Sequence, residues 1–191
     1  MPKHYFAMLS RMKHINRWGL MRNTRSENLS EHSLETAFIA HALCIISNER
    51  LKTGLDENEA AVRAMFHDTT EIITGDMPTP VKYNNDEIKS AYKKIEEAAG
   101  EKLLGMLPED IRPHYEKIYS EPLDEIGKLV KAADKISALI KCIEERRMGN
   151  SEFSFAEKAT LESIKRMNNP AVDIFLEEFL PSFGLTLDEQ N

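Results

Sequence analysis

His67 and Asp68 stand side by side, His32 lies upstream and Asp134 far downstream. Two imidazoles and two carboxylates form a borderline-to-hard donor set that suits Mn, Fe, Co, Ni or Zn better than a thiolate-seeking metal. Sulfur ligation is not on offer, because Cys44 and Cys142 are the chain's two cysteines and neither belongs to a CxxC pair. Four ligands on an ion that prefers five or six leave positions open, and an open position separates catalytic from structural sites. The pattern points to hydrolysis rather than to a structural staple.

Each residue has a plainer reading. His67 and Asp68 would project about 100° apart on a helix, so they meet one ion only where the helix ends and the chain can turn; alone, they read as a surface dipeptide at a helix terminus. Glu71, four residues beyond His67, shares its face if the helix continues, and so places a second carboxylate where it can accept a proton from bound water. Asp134 interrupts the apolar series Ile126, Leu129, Val130, Ala133, Ser137 and Ile140 from its shoulder. A carboxylate there is costly unless it is paired or coordinates a cation, and Lys131 and Lys135 are the alternative partners. His41 lies nine residues after His32, about 180° around the same helix, and is assigned to the packed core; His4, His14 and His114 are assigned to surface or packing.

The segment before the first histidine carries Arg17, Arg22 and Arg25, with Trp18, the chain's single tryptophan, next to Arg17. Guanidinium matches phosphate oxygens in a bidentate manner, and an indole offers a wall for a sugar or base; the alternative is a core tryptophan. Downstream, Asp76 and Thr79 carry acceptor and donor groups suited to sugar hydroxyls or to ordinary turn chemistry, and spacing leaves that choice open.

The elements that must position these groups read as helices almost throughout. Residues 5–13 form a short amphipathic element, and a polar and aromatic loop follows. From about 29 to 50, Leu34, Ala37, Phe38, His41, Ala42 and Ile45 recur at helical spacing behind Asn28 or Ser30 as cap, with Glu31 completing a box with Asn28. The stretch 57–67 begins behind Asp56 and runs through alanines, Val62, Met65 and Phe66 as a buried helix, delivering His67-Asp68 at its end. Gly75, Pro78 and Pro80 make the following TGDMPTPVKYN a rigid loop. Further helices are expected over 86–107, 123–148, 151–168 and 170–179, with Pro170 in the first turn of the last. Strand signals, repeats and linkers are absent, so the chain reads as all-α and as one domain over residues 1–191.

With 191 residues, 41% of them hydrophobic, and a mean hydropathy of -0.45, the chain can bury a full core without disulfides. Cys44 and Cys142 lie in apolar runs and read as buried small hydrophobes, which points to a cytoplasmic protein. No signal peptide or roughly 18-residue apolar span is found, so no membrane partner is expected. A net charge of -7 disfavours a nucleic-acid polymer as partner. No HExxH, GxxxxGK[ST], GxSxG or GxGxxG motif competes.

The arrangement His32, His67-Asp68, Asp134 resembles the H…HD…D signature of the HD-domain superfamily of metal-dependent phosphohydrolases. The stretches INRWGLMRN, ENLSEHSLETAFIAHAL, HDTTEIITGDMPTPVKY, VKAADKISALIKCIEE and FLPSFGLTLDE are similar to its bacterial 5′-deoxynucleotidase branch. That resemblance implies an all-helical homodimer that hydrolyses deoxyribonucleoside 5′-monophosphates with one divalent transition metal ion, Co, Mn or similar. It implies His32, His67, Asp68 and Asp134 as metal ligands, with Asp68 and Asp134 also close to phosphate. It implies Arg17 as the phosphate-orienting residue and Glu71 as the carboxylate that assists the attacking water. Trp18 and the loop Asp76, Met77, Pro78 and Thr79 resemble the sugar-sensing part. Other HD enzymes, acting on deoxynucleoside triphosphates, cyclic nucleotides or alarmones, and a non-catalytic metal- or nucleotide-binding module are the competing readings.

Overall fold

Capping residues set where the helices of this protein begin. In the computed structural model, which describes residues 3–82, 84–120 and 123–190, α1 spans Tyr5–Leu9 and runs into a 3-10 turn over Ser10–His14. Then α2 covers Leu29–Leu51, α3 Glu57–Phe66, α4 Glu71–Thr74, α5 Thr79–Lys82 and α6 Asp86–Leu104. The chain continues with α7 over Arg112–Tyr119, α8 over Glu125–Arg147, α9 over Ser154–Lys165 and α10 over Pro170–Glu178. No strand forms among the described residues, where the one isolated bridge joins Asn16 to Asn28. The all-α expectation holds.

The caps are the expected ones. Asn28 Oδ1 accepts from the backbone N–H groups of Ser30 and Glu31 at 3.0 and 3.1 Å, while the Glu31 carboxylate accepts from the Asn28 N–H at 3.1 Å, a reciprocal box that satisfies donors a helix start leaves orphaned. Asp56 accepts from the N–H groups of Asn58 and Glu59. Asn169 accepts from those of Ala171 and Val172, with Pro170 in the first turn.

Three expectations need correction. The face of α2 turned inward carries Ala37, Ala40, Leu43 and Cys44, whereas Leu34, Phe38 and Ile45 are 51%, 67% and 41% exposed and His41 is only half-buried. Apolar residues surround this helix, so their spacing could not choose a face. On α3, Met65 is exposed and Arg63 is buried, its guanidinium donating to Asp124 at 2.9 and 3.0 Å. The loop after α4 contains α5, because Pro80 falls in the first turn of that helix, where no N–H is required. In addition, α7 lies between the helices expected over 86–107 and 123–148, and α6 ends at Leu104 rather than 107.

The described residues pack as two compact units. One gathers the chain up to Leu20, Ser26–Ser33 and the stretch from Phe66 through α7; the other gathers Met21–Arg25, Leu34–Met65 and everything from α8 on. In the first, Tyr5, Leu103, Leu104 and Leu107 form one apolar group and Met12, Leu29 and Ile72 another, with Met8 and Leu9 packed against both. Ile72 beside Leu29 anchors together the segments that carry Glu71 and His32. In the second, the inner faces of α2, α3, α8 and α10 meet around Leu43, Leu129, Ile136, Leu139 and Val172. Both cysteines are buried free thiols.

Candidate active site

Arg17, Trp18, His32, His67, Asp68, Glu71 and Asp76 all fall in the first unit. The chain leaves α3 at Phe66 and turns: the Thr69 N–H and Oγ1 both donate to the Phe66 carbonyl at 3.1 and 2.8 Å, and the Glu71 N–H donates to the Asp68 carbonyl at 3.0 Å. His67 and Asp68 therefore sit in a turn rather than on a continuing helix. That geometry lets two adjacent side chains reach one point. Gly75, at φ 75°, closes α4 with its N–H on the Glu71 carbonyl at 2.8 Å, a left-handed conformation that glycine adopts without steric cost.

Asp68 Oδ2 is the focus. His67 Nε2 lies 3.2 Å from it, His32 Nε2 3.5 Å, and Arg17 Nη1 donates to it at 3.1 Å. The donor atoms of His32, His67 and Asp68 all lie within 4.8 Å of one another, and His32 is fully buried. Two imidazole nitrogens and a carboxylate oxygen converging at this spacing fit a divalent ion of the borderline class. Burial alone would raise the Asp68 carboxyl, but His67, Arg17 and His32 outweigh it and hold the group well below the usual carboxylate range.

Glu71 shows the reverse. Burial first, then the like charges of Asp68 and Asp76, push its carboxyl up to about 9 against the opposing pull of Arg17 and Lys82. Its Oε2 is buried without a hydrogen-bond partner. A buried acceptor left open beside a ligand cluster suits a water or a cation that is shared with substrate.

Trp18 is half-buried rather than core. Its backbone sits at φ 58°, a left-handed conformation that is costly for a bulky residue. Asp76 Oδ2 accepts from its backbone N–H at 3.3 Å, and Glu27 Oε2 accepts from its indole Nε1 at 2.9 Å. Among the described residues of the loop Asp76, Met77, Pro78 and Thr79, the Asp76 side chain is the one hydrogen-bonded to a site residue; Met77 and Pro78 are half-buried, and Thr79 is exposed at the start of α5. Arg22 and Arg25 are exposed in the other unit, where Arg22 pairs with Glu152 at 2.9 Å. Asp134 also belongs to that unit, half-buried on the shoulder of the apolar face of α8.

Glu27, buried at 7% exposure, is the residue that sequence reasoning misses. The available signal is an acidic side chain just ahead of the capping box, in a segment otherwise rich in arginine and asparagine. Burial would raise its carboxyl, but His32, Arg17 and Trp18 draw it down.

The 5′-deoxynucleotidase YfbR-like family model matches residues 4–183. A 5′-deoxynucleotidase of Shewanella oneidensis is 50% identical over 190 residues, covering 98% of this chain and 97% of its own. One of Vibrio vulnificus is 49% identical over 188 residues, covering 97% of each. Among solved structures, an HD-domain phosphohydrolase of Listeria innocua superposes with a TM-score of 0.83 at 25% identity, covering 94% of this chain and 88% of its own. The cyanophage S-2L HD phosphohydrolase, bound to dA and one catalytic zinc ion, shares the fold with a TM-score of 0.68 at 21% identity, covering 94% and 96%.

Proposed function

Because the chain belongs to the YfbR-like 5′-deoxynucleotidase family, we propose that it hydrolyses deoxyribonucleoside 5′-monophosphates to deoxyribonucleosides and inorganic phosphate. The observation that carries this reading beyond family membership is the convergence of His32, His67 and Asp68 beside Arg17, with the open carboxyl of Glu71 in the same unit.

His32, His67 and Asp68 would hold a divalent ion, with Asp134 as the final D of the signature completing the set. When bound, such an ion acidifies water and offsets charge on the phosphoryl group. Cobalt or manganese is the proposed metal, in keeping with a mixed imidazole and carboxylate donor set. Arg17, steadied on Asp68, orients the phosphate through its remaining N–H groups and offsets charge on the equatorial oxygens. Glu71 takes the proton from the attacking water; positive charge held against Asp68 cancels one of the two like charges that keep the Glu71 carboxyl high. Trp18 with Asp76, Met77, Pro78 and Thr79 forms the sugar-sensing wall. A 2′-hydroxyl excluded there or left unpaired costs about 1 to 3 kcal/mol.

The proposed active form is a cytoplasmic homodimer, with the deoxynucleotide as its small-molecule partner. The exposed Leu34, Phe38 and Ile45 stripe on α2 supports self-association. No helix among the described residues is long and apolar enough to cross a membrane. The unbroken family match from residue 4 to 183 supports one catalytic domain.

The test is phosphate release from dAMP and AMP by chelator-stripped protein reloaded with Mn, Co, Zn or Mg. Release from dAMP well above AMP, lost in Asp134→Ala, is expected. Equal turnover of the two nucleotides, or near-normal release by Asp134→Ala, would overturn the reading.

A further inference from the structure

We propose that Glu27 is a positioning residue that couples the metal ligand His32 to Trp18, so that metal occupancy and sugar discrimination pass through one buried carboxylate. The inference rests on the deoxynucleotidase reading only for the word sugar; its geometry stands by itself.

The two oxygens of Glu27 are divided. Oε2 accepts the indole N–H of Trp18 at 2.9 Å. Oε1 faces His32 Nδ1 at 3.4 Å and Arg17 Nε at 3.7 Å, and makes no hydrogen bond of normal geometry. His32 thus points one ring nitrogen at Glu27 and the other, Nε2, at Asp68. A carboxylate on the far nitrogen of a ligating imidazole fixes its tautomer and ring orientation and raises its basicity. The backbone holds Glu27 in register, since the Arg17 N–H donates to the Glu27 carbonyl at 2.9 Å and the Leu29 N–H to the Ile15 carbonyl at 3.0 Å.

Trp18 needs such a hold. Its left-handed backbone persists only if neighbours over-determine it, and Asp76 on the amide and Glu27 on the ring are among those neighbours. When His32 engages a cation, Glu27 Oε1 closes on Nδ1, and the same rigid carboxylate moves Oε2 and the indole with it.

Trp18 is the only tryptophan in the chain, so its fluorescence reports this contact directly. The experiment titrates Zn2+ alone into chelator-stripped wild type and Glu27→Gln, following Trp18 emission and acrylamide quenching, with far-UV circular dichroism to verify helix content. In wild type the emission tracks zinc occupancy. In Glu27→Gln zinc binds about 10- to 100-fold more weakly, emission no longer follows occupancy, and Trp18 is more accessible to acrylamide. At saturating zinc the dAMP-to-AMP ratio of kcat/KM falls several-fold, and Trp18→Phe shows the same fall with unchanged zinc affinity; the double variant loses no further discrimination. Wild-type zinc affinity in Glu27→Gln, emission that still tracks zinc there, or additive loss of discrimination in the double variant would each overturn the proposal. Should Glu27→Gln misfold, Glu27→Asp, whose shorter arm cannot span both partners, gives the same readouts with the same expected and overturning results. Wild type that treats dAMP and AMP alike would sink the deoxynucleotidase reading, while zinc affinity and Trp18 emission would still decide the role of Glu27.

Discussion

Glu145 on α8 and Glu71 at the start of α4 are both withdrawn from solvent, 1% and 5% exposed, yet their carboxyl groups are treated in opposite ways. Around Glu145 every lone pair has a donor: Lys141 on the same helix, the N–H and Oγ1 of Thr24 at 2.9 and 2.7 Å, the N–H of Arg25 at 3.3 Å and the amide of Asn150 at 2.8 Å. These donors outweigh burial and hold the carboxyl far below its usual range. Its task is mechanical, since it pins the backbone at residues 24 and 25 to α8. Glu71 has burial and two acidic neighbours instead, and an oxygen left open. A buried carboxylate with all its partners supplied is architecture, and one with partners withheld is available for chemistry. Glu27 stands between them: one oxygen is fully engaged with Trp18, while the other is held at a longer reach from a metal-ligand candidate.

The contrast is open to direct attack. Glu71→Gln should cut phosphate release by about 100- to 10,000-fold, the usual range for loss of a general base, while leaving the urea midpoint of the metal-free protein unchanged or higher. A variant near wild-type turnover would remove Glu71 from the chemistry. Glu145→Ala should do the opposite, costing about 3 to 5 kcal/mol of stability by stranding Lys141 and leaving kcat per folded molecule within a few-fold of wild type, as read by urea denaturation alongside active-site-normalised assays. Loss of activity with no loss of stability would invert the assignment.

The smallest effect is a pH slope. The Glu71 carboxyl rises from 4.5 unfolded to about 9 folded, so the native state binds its proton more tightly. The metal-free protein should therefore lose stability as pH climbs between those values, by no more than about 1.4 kcal/mol per pH unit for one proton. Glu145, held low, acts on the other side: its contribution is complete above the unfolded value of 4.5 and is lost on acidification. Asp76, raised by burial, adds slope of the same sign as Glu71, so Glu71→Gln should flatten the alkaline side without abolishing it. An unchanged slope in that variant would erase the difference between the two glutamates.

Much of this is legible in the sequence, for a local reason. Helix starts depend on a capping side chain and the few residues behind it, so Asn28 with Glu31, Asp56, and Asn169 with Pro170 could be read directly. The residue types of His32, His67 and Asp68 also named a metal chemistry, because donor hardness is a property of the side chain and not of its surroundings. Tertiary structure decided what depends on neighbours distant in sequence. Which face of α2 turns inward was undetermined, since apolar residues ring the helix. Its place just ahead of the capping box is a weak local mark of Glu27, whose meaning comes from Arg17, Trp18 and His32 closing around it. The opposite charge states of Glu71 and Glu145, identical in covalent chemistry, follow from the donors each burial site supplies or denies, and only the folded chain brings those donors together.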